Sequence, residues 1–133
     1  MLIQQRQPFK QGWSNLWDVT VGGSAVAGDT SIQAAEREVF EELGLEISLA
    51  GMRPALTVSF SFGFDDVYIV EQDVDIHTLN LQKEEVQQVK WASREDIMSM
   101  IDDKTFISYH KSFIHIIFDL QLTKDVHSHF NDY

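Results

Sequence analysis

Apolar and polar positions change period along this chain, and the changes mark its elements. Leu2 and Ile3 lead into Gln4, Gln5 and Arg6 with the composition of the last part of a strand. Trp17, Val19 and Val21 then alternate with Asp18, Thr20 and Gly22, the period-two pattern of a half-buried strand. From Ile32 the period lengthens: Ile32, Ala35, Val39 and Leu43 recur at three- and four-residue steps, one apolar stripe of a helix. Thr30 with Gln33 has the form of a capping box at its start, and Gly44 can take the left-handed conformation that ends it. Residues 45–49 and 55–62 have strand composition, separated by Gly51 and Pro54. Phe60, Phe62 and Phe64 alternate on one side and suit packing better than stacking on a ligand. Asp65 and Asp66 read as a turn into a strand over 67–70, followed by a polar loop over 71–83. Val86, Val89 and Trp91 form another strand pattern, and Ser93 with Asp96 caps a helix running through Ile101. Phe106, His110, Phe113, Ile117 and Leu120 make the stripe of a final helix.

Length and composition place these elements in one domain. A chain of 133 residues, 44% of them hydrophobic, can build one real core. We expect a single domain over 1–123 and a tail over 124–133, where His127 and His129 lie. The absence of cysteine excludes disulfides, thiolate metal sites and a cysteine nucleophile. A formal charge of -11, with only scattered Lys and Arg, argues against a nucleic acid polymer as partner. No basic-then-apolar leader opens the sequence and no apolar run approaches the ~18 residues needed to span a bilayer. A cytoplasmic protein without membrane partners is the expectation.

Charge on the first helix changes the picture. Glu38 precedes Glu41 by three residues and Glu42 by four, so the three carboxylates share a face. Each like-charged pair costs roughly 0.2–0.5 kcal/mol on an isolated helix. Two acids on a helix are most often a solvated face, and the third invites a cation. Carboxylate oxygens without thiolate or clustered imidazole suit hard cations such as Mg2+ or Mn2+.

The full spacing is more specific. Gly23, Asp29, then Arg37-Glu38-Val39-Phe40-Glu41-Glu42-Leu43-Gly44-Leu45 resembles the Nudix box, G-x5-E-x7-R-E-U-x-E-E-x-G-U with U apolar. Only Asp29, where the family has Glu, departs from it. That resemblance implies an α/β fold, the Nudix-type alpha/beta/alpha sandwich with a mixed sheet, here lacking its N-terminal strand. A sheet shortened in this way would expose an edge and favour a homodimer. It also implies that Glu38, Glu41 and Glu42 ligate metal with the backbone carbonyl of Gly22, and that Arg37 orients the glutamates, paired with Asp29. Residues 2–23, LIQQRQPFK followed by GWSNLWDVTVGG with one glutamine between, look like the subgroup related to isopentenyl diphosphate isomerase. The resemblance then implies that Arg6 and Lys10 contact a substrate diphosphate. Trp13 and Trp17 frame that loop and suit packing better than stacking. Val21 stands where those isomerases carry a catalytic cysteine, so their chemistry is not expected. Glu84 and Glu85 resemble the family's region after the box, where a glutamate assists metal or acts as base. Glu38 is the first candidate for the base and Glu85 the second. The implied activity is metal-dependent hydrolysis of a nucleoside diphosphate linked to another group, or of a related organic diphosphate. The alternatives are an isomerase-like activity, a prenyl diphosphate hydrolase, and a non-catalytic binding module.

Overall fold

In the computed structural model, which describes residues 1–123 and Asp125, nine elements follow in order. They are β1 (Leu2–Arg6), β2 (Trp17–Asp18), α1 (Ser31–Leu43), β3 (Leu56–Phe60), β4 (Gly63–Val67), a single 3-10 turn (Ile76–Thr78), β5 (Val86–Trp91), α2 (Arg94–Asp102) and α3 (Lys111–Thr123). The expected tail, with His127 and His129, falls almost wholly outside the described residues. The chain divides into two compact units, one made of residues 1–50 and 73–108, the other of 51–72 and the described residues from 109 onward.

The first unit is built on a three-stranded sheet ordered β2-β1-β5, with both pairings antiparallel. Beyond β2, Trp17 bridges Phe106 in parallel. Its N–H donates to the Thr105 carbonyl at 2.9 Å and its carbonyl accepts from Ile107 N–H at 2.9 Å, one parallel bridge beside an antiparallel sheet, where a mixed sheet was expected. The opening strand is therefore interior. β1 is hydrogen-bonded on both sides, so the exposed sheet edge that gave the expectation of a homodimer falls at β5, which pairs only with β1 among the described residues. Ile3, Leu43, Leu49, Val86, Ile97 and Phe106 are the largest fully buried side chains of this unit.

Helix α1 starts and stops for the reasons its sequence states. Gln33 N–H donates to Thr30 Oγ1 at 3.1 Å while Thr30 N–H donates to Gln33 Oε1 at 2.9 Å, a complete capping box. At the other end Gly44 adopts φ 64° and its N–H reaches the Phe40 carbonyl at 2.8 Å. The buried face differs from the expected stripe. Ala34, Glu42 and Leu43 are buried, whereas Ile32, Ala35 and Val39 are half-buried. The helix is turned so that a carboxylate faces inward.

Two expected strands are shorter than their composition suggests, because side chains take the backbone donors that a ladder would use. Val19 N–H is held by Asp18 Oδ1 at 2.7 Å, and β2 ends at Asp18. Leu49 N–H is held by Glu36 Oε1 at 2.9 Å, and residues 45–49 stay irregular with Leu49 buried. Helix α2 has its capping box, Ser93 with Asp96, and buries Ile97. Phe106 belongs to the first unit's core and not to the final helix, which begins at Lys111.

In the second unit β3 and β4 form an antiparallel hairpin. Asp65 and Asp66 lie inside β4 and not in a turn; Thr57 Oγ1 on β3 donates to Asp66 Oδ1 at 2.7 Å across the pair. Phe60, Phe62 and Phe64 are all exposed, against the packing expectation. Helix α3 buries Ile114, Ile117 and Leu120. Among the described residues no helix is long and apolar enough to cross a membrane.

Candidate metal and phosphate site

The site collects in the first unit, where α1 lies with Glu42 against β1. Glu42 is buried, and Gln4 Nε2 donates to its Oε2 at 3.0 Å. Burial raises its pKa to about 7, with the charges of Glu38, Glu85 and Asp18 adding to the rise and the Gln4 hydrogen bond opposing it. A carboxylate so placed is short of positive charge. Glu38, one turn earlier, is half-buried beside the backbone of Gly23. A Cβ on residue 23 would lie 2.6 Å from Glu38 Cδ and 2.9 Å from Oε2, so any side chain there would have to displace Glu38.

Arg37 latches this loop to the helix. Its guanidinium pairs with Asp29 through Nη1, donates through Nη2 to the Ser24 carbonyl at 3.3 Å, and approaches Glu38 Oε1 at 3.5 Å. The hydrogen bond to Asp29 raises the Arg37 pKa above its ordinary value. The shorter acid at position 29 thus reaches Arg37.

The expected residues gather unequally. Glu38, Glu85 and Asp18 all act on Glu42 through their charge. Glu41 is exposed, as are Gly22 and Gly23. Among the described residues, no three acids or histidines stand together as a formed metal cage. The donor chemistry nonetheless fits a hard divalent cation, because the donors are carboxylate oxygens whose mutual repulsion a cation relieves. Lys10 Nζ lies 2.6 Å from Glu85 Oε2, joining two residues that the sequence placed in separate roles. Arg6 Nη2 donates to the Gly12 carbonyl at 3.3 Å, and its buried Nε has no hydrogen-bond partner.

Sequence reasoning missed Gln4 and Asp18. The signal for Gln4 was a polar residue at the centre of a strand whose neighbours Leu2 and Ile3 are apolar. For Asp18 there was no local signal, since its influence on Glu42 depends on where α1 packs.

Comparison with known proteins decides the family. The NUDIX domain family model matches residues 1–115. The chain belongs to the Nudix hydrolase family. It is 42% identical over 127 residues to an uncharacterised Nudix hydrolase of Listeria monocytogenes, covering 96% of this chain and 74% of that one. It is 29% identical over 113 residues to an isopentenyl-diphosphate Delta-isomerase of Cutibacterium acnes, covering 75% of this chain and 56% of that one. Among solved structures, DR0079 from Deinococcus radiodurans superposes with a TM-score of 0.67 at 24% identity, covering 89% of this chain and 72% of that one. This Nudix chain therefore has the family's α/β fold, and the family works with divalent metal ions.

Proposed function

We propose that this Nudix hydrolase cleaves a nucleoside diphosphate linked to another group, or a related organic diphosphate, with Mg2+ or Mn2+. The observation that carries the reading is the buried carboxylate of Glu42, on which the negative charges of Glu38, Glu85 and Asp18 act. Such an arrangement is unfavourable for a fold by itself and suits a cation site.

Glu38, Glu41 and Glu42 would hold the metal, with the Gly22 carbonyl as a backbone donor. A cation bound there would neutralise phosphate charge, polarise phosphorus and make the attacking water more acidic. The protein's own groups do the rest. Arg37, fixed by Asp29 and the Ser24 carbonyl, sets the loop against α1 and orients Glu38. Gln4 holds one oxygen of Glu42 and leaves the other to the site. Glu38 is the proposed acceptor of the water proton, ahead of Glu85, whose carboxylate is already paired with Lys10. Arg6 and Lys10 would bind the diphosphate, and a phosphate drawing Lys10 away frees Glu85. The isomerase reaction is disfavoured because Val21 replaces the expected cysteine and the chain has none elsewhere.

A phosphate-release screen over nucleotide sugars, dinucleotides, nucleoside di- and triphosphates and prenyl diphosphates tests this, with Glu41→Gln as blank. Glu41→Gln and Glu42→Gln should each lower kcat by about 10-fold or more with the circular dichroism unchanged. Near wild-type rates in both would remove the assignment.

A further inference from the structure

The connection between β1 and β2, residues 7–16, presents two large aromatic side chains to solvent, Phe9 at 68% and Trp13 at 52% exposure. The sequence led us to expect Trp13 in packing beside Trp17. Trp17 is indeed buried, with Lys90 Nζ 4.4 Å from the centre of its ring, but Trp13 is not. Its backbone is also unusual. Trp13 sits at φ 53°, a left-handed conformation that bulky residues seldom take and keep only where the surroundings impose it.

Those surroundings can be named. The Gln7 carbonyl accepts from Lys10 N–H at 3.2 Å and from Asn15 N–H at 3.4 Å, closing the loop at its base. Gln5 Nε2 donates to the Asn15 carbonyl at 2.9 Å. Opposite Gln5 and Arg6 the β5 strand carries one extra residue, Gln87, and this bulge sends its amide to Asn15 Oδ1 at 3.0 Å. Amides from two strands thus hold the loop in a shape that keeps an indole in water, which burial alone would never favour.

The loop is also attached to the site already described. Lys10 follows Phe9 directly and reaches Glu85. Arg6 precedes the loop with a buried, unpartnered Nε. We propose that Phe9 and Trp13 form a stacking subsite for the planar base of a nucleoside-linked diphosphate whose phosphates lie on Arg6 and Lys10. This rests on the diphosphate reading above and narrows it. A base is the favoured occupant because Phe9 and Trp13 share their short loop with the polar and exposed Gln11, Ser14 and Asn15. They can meet the hydrogen-bonding edge of a base, whereas an isoprenoid tail needs a continuous apolar wall.

The test compares two non-hydrolysable probes on the full chain, α,β-methylene-ADP and methylenediphosphonate, which share a headgroup and differ by the nucleoside. Wild type should bind the nucleotide about 10-fold more tightly, with quenching of tryptophan fluorescence. Trp13→Ala should remove most of that difference and leave methylenediphosphonate binding unchanged. Trp13→Phe should keep the affinity and lose the quench, since Trp17 and Trp91 remain. Equal weakening of both probes in Trp13→Ala overturns the subsite, as does a nucleotide that binds no better than the diphosphonate. Tighter, Trp13-dependent binding of a thiolodiphosphate with a prenyl tail overturns it in favour of a lipid. In each of these cases the diphosphate reading survives if methylenediphosphonate binds and the phosphate-release screen finds a substrate; if neither holds, both proposals fall.

Discussion

At Glu42 one side chain meets two opposing demands, burial in the face of α1 and the negative charge needed to hold a cation. The consequence is a pH dependence with a definite sign. Its pKa in the fold, about 7, is above the ordinary 4.5, so the folded state binds this proton more tightly than the unfolded chain does. The stabilisation is complete below the unfolded value and is lost as pH rises through about 7. In EDTA, Glu42→Gln should therefore be more stable than wild type at pH 8, by up to roughly 3 kcal/mol. At pH 4 the two should agree within error in urea melts. Gly23 makes a second demand at this scale. Gly23→Ala should displace Glu38, since the new methyl would overlap its side chain, and lower kcat by about 10-fold while the melting temperature changes little. Asp29→Glu should keep kcat within about 3-fold, and Asp29→Ala should lower it by more than 10-fold as Arg37 loses its anchor.

The helix that carries these glutamates is fixed in register by its ends. Thr30 caps the start, and Thr30→Ala should cost about 1 kcal/mol. The C-terminal end is more demanding. After Gly44, Asn80 N–H donates to the Leu43 carbonyl at 2.9 Å and Gln82 N–H to the Glu42 carbonyl at 2.9 Å, so the loop before β5 holds the last turn of α1. A Cβ at Gly44 would face Asn80 Cβ at 2.8 Å, at a residue already at φ 64°. Gly44→Ala should lower the melting temperature by roughly 4–8 °C. It should also weaken activity, because Glu42 moves with that turn.

Over the whole molecule, a formal charge of -11 sets the terms on which an anionic substrate arrives. The protein repels it at long range, and divalent metal at the proposed site reverses the local sign. Mn2+ at about 100 times its Kd should stabilise the wild type by roughly 2.7 kcal/mol. Differential scanning calorimetry should show a much smaller gain for Glu38→Gln. Similar gains in both would place the ion elsewhere.

Much of this architecture is local and was legible in the chain. The capping boxes of α1 and α2, the left-handed stop at Gly44 and the spacing of the box need only neighbouring residues to be read. Where side chains stole backbone donors, at Asp18 and Glu36, strand composition promised more ladder than formed. The sequence by itself determined the family, the acids on one helix and the absence of cysteine chemistry. Only tertiary packing decided that Glu42 turns inward onto Gln4, that Lys10 pairs with Glu85 and that Trp13 stays in water. Each of these depends on contacts between residues far apart in the chain, and no local period encodes the rotation of a helix against a sheet.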